Sequence, residues 1–137
     1  MYQHLVQYYE TDKMGVTHHS NYIRFMEEAR MDFFKNIGFD YNEFEKTGMI
    51  SPVVGLNNIK YKRSSTAGDV IDIDVTVKAM TAVTFTIQYV MRVKDTIIFT
   101  GESEHCLLSK QGKILPLTDK SLLGFTEKLQ ELLAKSA

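Results

Sequence analysis

A single cysteine, Cys106, excludes any disulfide within the chain and suits a reducing compartment. Neither sign of charge dominates: 16 basic residues meet 17 acidic ones, so no basic field exists to draw nucleic acid or an anionic membrane surface. No apolar run approaches the roughly 18 residues of a membrane span, and the opening MYQHLVQYYE lacks the basic and apolar segments of a secretion signal. A soluble, cytoplasmic protein without a membrane span or a nucleic-acid partner is expected. The sequence also lacks a glycine-rich phosphate cradle, a GxSxG nucleophile elbow, an internal repeat and a linker. What is present is 137 residues, enough for one domain over 1–137 that buries its core without metal or disulfide staples.

Taken in order, His4 to Thr11 is rich in Val and Tyr and reads as a first strand. A polar loop follows, carrying Asp12, Gly15, His18 and His19. Ser20 is the expected N-cap of a long helix, with Asn21 as the alternative. Tyr22, Phe25, Met26, Ala29, Phe33 and Ile37 recur at spacings of three and four, one apolar stripe along roughly 25 Å of helix. Gly38 is placed to end it in left-handed conformation. Asp40 to Lys46 suggests one or two irregular helical turns. Beyond Pro52, a strand is expected from Val53 to Arg63, with Gly55 or Asn57–Asn58 marking a bulge. Ala67-Gly68-Asp69 reads as a turn. Ile71, Ile73, Val75 and Val77 alternate with polar residues in a half-buried strand, and Phe85, Ile87, Tyr89, Met91 and Val93 repeat the pattern. Lys94-Asp95 is a tight connection into an antiparallel strand from Thr96 to Ser109. Thr118 or Asp119 caps a terminal helix that sets Leu122, Phe125, Leu129 and Leu132 on one face. A helix on one broad face of an antiparallel sheet satisfies both periodicities, which makes the fold class α+β.

The run ETDKMGVTHHSNYIRFMEEAR resembles the signature of hotdog-fold thioesterases of the 4-hydroxybenzoyl-CoA thioesterase and YbgC type. It has a TD pair, a Gly three residues after the Asp, a His before a small residue and NY, then E-A-R down the helix. The resemblance implies a hotdog fold, in which a long central helix packs on a curved antiparallel sheet of about five strands with a C-terminal helix. It further implies a homodimer or dimer of dimers with active sites at the interface, and an acyl-CoA substrate cleaved to acid and CoA.

Asp12 matches the family's catalytic Asp and leads as general base or nucleophile. Composition alone favours a plain Asx-turn for an Asp before a glycine, and the resemblance reverses that weighting. Glu10, two residues upstream, is a weaker alternative. By resemblance the main-chain N–H of His19 polarises the thioester carbonyl, with Gly15 or Val16 in the loop assisting. Glu28 on the helix is the alternative catalytic carboxylate, since some hotdog thioesterases use a helix glutamate; pairing with Arg24 or Arg30 is the bland reading of Glu27 or Glu28. Neighbouring His18 and His19 supply no recognised metal-ligand spacing, so neither metal nor organic cofactor is expected. Lys60, Lys62 and Arg63 form the one local basic cluster, suited to coenzyme A phosphates or merely to blunting a strand end. His4 and His105 carry no assigned role. An acyl-carrier-protein thioesterase, a hydratase and a non-catalytic acyl-thioester-binding protein remain as competing functions.

Overall fold

The computed structural model describes residues 1–40, 46 and 48–136, so most of the turns expected between Asp40 and Lys46 lie outside the described residues. Its elements are β1 (Tyr2–Leu5), α1 (Ser20–Asn36), β2 (Val53–Tyr61), β3 (Val70–Met80), β4 (Thr84–Val93), β5 (Thr96–Leu108), β6 (Ile114–Leu115) and α2 (Leu123–Ser136). The antiparallel sheet runs β1-β3-β4-β5-β2, with the two-residue β6 beside the end of β5. Chain order and sheet order differ because both N-terminal strands flank the later meander β3-β4-β5. The expected five strands are these, and β6 is a short addition.

Alternation along the strands puts Ile71, Ile73, Val77, Phe85, Ile87, Tyr89, Met91 and Phe99 on one face, all buried. The stripe of α1 covers that face: Tyr22, Phe25, Met26 and Ala29 are buried, and the Tyr22 ring stacks on Phe99 at 5.3 Å. α2 extends the cover, with Phe125 against Phe34, Phe39 and Phe85 at 5.7, 5.2 and 5.6 Å. Each such aromatic contributes on the order of 1.5–3 kcal/mol by leaving water. β2 needs two irregularities to follow the curve, at Val53/Gly55 and Asn57/Lys60, and Asn58 takes a φ of 53°. Opposite the second, Gly101 leaves a notch for Ile59, whose Cδ1 lies 2.7 Å from where a β-carbon would sit.

Several boundaries depart from the sequence expectation. The first strand stops at Leu5 rather than reaching Thr11, because β3 begins at Val70 opposite Leu5; past it only Val6 is still paired, donating to Asp69 O and accepting from the Gly68 N–H of the turn, both at 2.9 Å. The chain instead makes a 3-10 turn, Tyr8–Glu10. Arg63 likewise falls outside β2, although the Lys62 and Arg63 N–H groups still donate to the Ile98 carbonyl at 2.8 and 3.1 Å. At the C-terminal side Asp119 accepts from Ser121 N–H at 3.0 Å and caps a 3-10 turn, Lys120–Leu122, that leads into α2.

A polar chain crosses this otherwise apolar core. Arg30 donates to the Tyr89 hydroxyl at 3.4 Å, Tyr89 contacts Ser103 Oγ at 2.7 Å, and Ser103 meets His105 Nε2 at 2.7 Å. Tyr89, Ser103 and His105 are fully buried. Burial first, and then the Arg30 charge, push the His105 pKa down to about 3, opposed weakly by the Pro52 carbonyl. That carbonyl is not in hydrogen-bond geometry with Nδ1. His105 is therefore neutral at neutral pH, and the one bond of fixed direction is that from the Arg30 guanidinium, which can only donate, to the Tyr89 oxygen.

Candidate active site

The loop between β1 and α1 is a miniature hairpin. Thr11 bridges Thr17, the Asp12 N–H donates to Val16 O at 2.9 Å, and the Gly15 N–H donates to Asp12 O at 3.0 Å. Gly15 adopts φ +80°, which closes so short a turn and which residues with a β-carbon disfavour. The Met14 N–H donates to Asp12 Oδ1 at 2.8 Å, so the Asx-turn forms. It engages one carboxylate oxygen; the other has no hydrogen-bond partner among the described residues. Asp12 itself is exposed at the tip.

The base of the hairpin is fixed from below. Buried Thr17 donates its N–H to Ser65 O at 2.7 Å and touches Ser65 Oγ at 2.6 Å, while Ser65 Oγ meets the Tyr22 hydroxyl at 2.8 Å. Thr66 donates its hydroxyl to Gly15 O at 2.8 Å. The Glu10 carbonyl accepts from the His18 N–H at 2.8 Å and the Asn21 side-chain amide at 2.9 Å. These bonds hold the two ends of the loop, and the start of α1, against one another.

Ser20 is not the N-cap. It is the first residue of α1, and His19 stands in the cap position with helical dihedrals and no side-chain cap. His18 takes over instead: its Nδ1 accepts from the Ser20 N–H at 3.2 Å and contacts the Ser20 hydroxyl at 2.8 Å. The His19 carbonyl accepts from the Tyr22 N–H at 3.2 Å and the Tyr61 hydroxyl at 3.3 Å. The His19 N–H has no partner among the described residues, and it lies at the positive end of the helix. An open carboxylate oxygen and an open N–H donor thus belong to one braced loop, the pair needed to attack a carbonyl while stabilising its oxygen.

Glu28 belongs to a different group. Its Oε2 contacts His4 Nδ1 at 3.0 Å and the Tyr2 hydroxyl at 3.3 Å, and Oε1 lies 4.0 Å from Arg24. His4 Nε2 meets Glu10 Oε1 at 2.9 Å, and Glu10, which is also ion-paired with Arg24, receives its own Gln7 N–H at 2.8 Å. Burial, then the Glu28 charge, raise the Tyr2 pKa. Glu10 is buried and Glu28 half-buried, and neither bonds to Asp12 among the described residues. Sequence reading missed this cluster because its members come from β1, the 3-10 turn and α1. Two of its links were within reach of the sequence: Glu10, two residues from Asp12, and the pairing of Glu28 with Arg24 one helical turn away. The supports Tyr61 and Ser65 were missed for the same reason, and the Ser64-Ser65-Thr66 run was their trace.

Lys60, Lys62 and Arg63 are exposed and form no ion pair among the described residues. Tyr61, between the two lysines, packs edge-on against the His19 ring at 6.1 Å and brings the cluster beside the helix start. No three His, Cys, Asp or Glu side chains converge as a metal ligand set among the described residues. None of the described helices is long and apolar enough to cross a membrane.

Comparison with known proteins identifies the family. A family model described as the thioesterase-like superfamily matches residues 6–130. A protein of Aquifex aeolicus provisionally named an esterase is 35% identical over 123 residues, 89% of this chain and 94% of its own length. A 1,4-dihydroxy-2-naphthoyl-CoA hydrolase of Microcystis aeruginosa is 25% identical over 133 residues, 95% and 96% of the two chains. The crystal structure of a DHNA-CoA thioesterase from Staphylococcus aureus superposes with a TM-score of 0.88 at 29% identity, covering 99% of this chain and 93% of that one. With its six-stranded antiparallel sheet wrapped on one long helix, the chain belongs to the thioesterase-like superfamily, a hotdog-fold family of thioester hydrolases.

Proposed function

We propose that this protein hydrolyses the thioester of an acyl- or aroyl-CoA, with Asp12 as general base or nucleophile and the His19 N–H polarising the carbonyl. The observation that carries this reading is the Asp12 carboxylate, fixed through one oxygen by the Met14 N–H and open at the other, on a loop whose base is tied to the start of α1. As base, the open oxygen takes a proton from water, and hydroxide adds to the thioester carbon. As nucleophile, it forms a mixed anhydride that water then opens. In either case negative charge gathers on the carbonyl oxygen, where a preorganised N–H at a helix start stabilises it without rearrangement. The leaving thiolate takes up a proton and departs as CoA. Neither route requires a metal or organic cofactor.

In this reading Lys60, Lys62 and Arg63, exposed at the end of β2, meet the phosphates of the CoA arm. The naming of relatives as 1,4-dihydroxy-2-naphthoyl-CoA hydrolases supports CoA thioesters as the substrate class. Thiol release across a panel of acyl- and aroyl-CoA thioesters tests the proposal. Release from several is the expected result; none from any of them, with release from acyl-carrier-protein thioesters, transfers the activity to that partner. No release from either class leaves an acyl-thioester-binding protein.

A further inference from the structure

Glu10 stands two residues before Asp12, and its carboxylate is wholly buried. Three groups close on it. His4 Nε2 meets Oε1 at 2.9 Å, the Gln7 N–H donates to the same oxygen at 2.8 Å, and the Arg24 guanidinium is ion-paired with Oε2. A buried ion pair adds little net stability over hydrocarbon of the same shape, because desolvation offsets the attraction, but separating the partners is costly. Such a group holds its neighbours in one arrangement.

The same residue holds the loop through its backbone. Glu10 O accepts from the His18 N–H at 2.8 Å and from the Asn21 side-chain amide at 2.9 Å. Asn21 Oδ1 accepts from Arg24 Nη2 at 3.3 Å, and that nitrogen is the one that faces Glu10 Oε2. A ring is thereby closed, from the Glu10 carbonyl through Asn21 and Arg24 back to the Glu10 carboxylate. On the other side His4 Nδ1 reaches Glu28 Oε2 at 3.0 Å, so β1 and α1 are tied across the same carboxylate. The two groups placed at the thioester sit just outside this clamp. Asp12 is two residues beyond Glu10, and the His19 N–H follows directly on the His18 N–H that Glu10 binds.

We propose that Glu10 is a positioning residue of the active site, whose buried charge, seated between His4 and Arg24, fixes the placement of the Asp12 carboxylate relative to the His19 N–H. Its effect on rate rests on the thioester reading above; its effect on the loop does not. A catalytic group displaced by about 1 Å can cost on the order of 10²-fold in rate, so a clamp at this point acts on turnover.

Glu10→Gln tests it. The amide matches the carboxylate in size and keeps one acceptor oxygen, but it carries no charge and turns its NH2 group either toward the Gln7 N–H or toward Arg24. In thiol release from acyl-CoA thioesters, with thermal unfolding showing the variant folded, kcat is expected to fall at least about 10-fold while KM stays within about 2-fold. A wild-type kcat in folded Glu10→Gln overturns the proposal, as does a rise in KM alone. Should that variant fail to fold, Arg24→Gln decides by the same split, since it removes the ion pair from its partly exposed end. Arg24→Lys, which restores the charge, is expected to recover part of the lost turnover. Amide hydrogen exchange separates this proposal from the hydrolase reading. If the wild-type protein releases no thiol from CoA or carrier-protein thioesters, that reading falls and exchange over residues 11–19 decides: faster exchange in Glu10→Gln, with β4 and β5 unchanged, upholds the clamp, and wild-type exchange there overturns it.

Discussion

Asp12 shows how a structural and a chemical role can share one residue. Its Oδ1 closes the turn with the Met14 N–H, and its other oxygen remains open. Asp12→Asn keeps the size and a turn-closing oxygen but can neither take a proton nor attack as a carboxylate. A loss of at least about 10²-fold in turnover is expected with the thermal midpoint almost unchanged. A wild-type rate in that variant, with an inactive Glu28→Gln, would move the reactive carboxylate onto α1. His105 supplies a prediction of another kind. Its pKa of about 3 in the folded protein lies below the unperturbed 6.5, so the unfolded chain takes up the proton first as pH falls. Stability is therefore full above about pH 6.5 and declines toward pH 3, with roughly 2 kcal/mol gone by pH 5. Denaturant unfolding at pH 7 and pH 5 should show this slope, and His105→Gln should flatten it; equal slopes would refute the assignment. Asp12 was legible in the sequence because its neighbours in the motif are its neighbours in space. His4 was not, since its partners arrive from α1 and the 3-10 turn; His105 has Ser103 two residues away on its own strand, but the burial and the Arg30 charge that shift it come from other elements.

At the next scale, α1 was readable over almost its whole length because a 3.6-residue period needs only one chain segment to express itself. Its end is a Schellman motif as the glycine suggested: the Gly38 N–H donates to Lys35 O at 3.1 Å and the Phe39 N–H to Phe34 O at 2.8 Å, with Gly38 at φ +95°. Nothing lies within 4 Å of a β-carbon placed there, so Gly38→Ala isolates the backbone cost. A loss of about 1 kcal/mol in chemical denaturation is expected; no loss would mean the helix end rearranges freely. The N-terminal end misled because a Ser before an amphipathic run signals a cap, whereas here a histidine two residues earlier captures both the hydroxyl and the N–H of that Ser. Lys94 and Asp95 were read as a tight connection and take φ values of 49° and 69°, the left-handed pair a two-residue hairpin requires. β1 was overdrawn for want of a partner strand, which a sequence pattern does not show.

For the molecule as a whole, β2 closes the sheet on one side with no further strand beside it among the described residues. Val54, Leu56 and Tyr61 there are 52%, 43% and 48% exposed. An edge of this kind invites pairing with its own copy. A homodimer joined through β2 is expected, and Val54→Lys should raise the monomer fraction in light scattering; an unaltered dimer would place the contact elsewhere. The same topology bears on how the protein is made. β1, α1 and β2 leave the ribosome first, yet β1 pairs with β3 and β2 with β5, strands synthesised later. Until then the nascent chain holds two orphan strands and an amphipathic helix with nothing to cover, a state prone to wrong association. Chains stalled after residue 66 should be cut readily by protease, and those stalled with β5 clear of the exit tunnel should resist. Early protection would mean that the first half folds by itself. With the expected outcome, translation rate through residues 67–108 sets how long that vulnerable half waits for its partners.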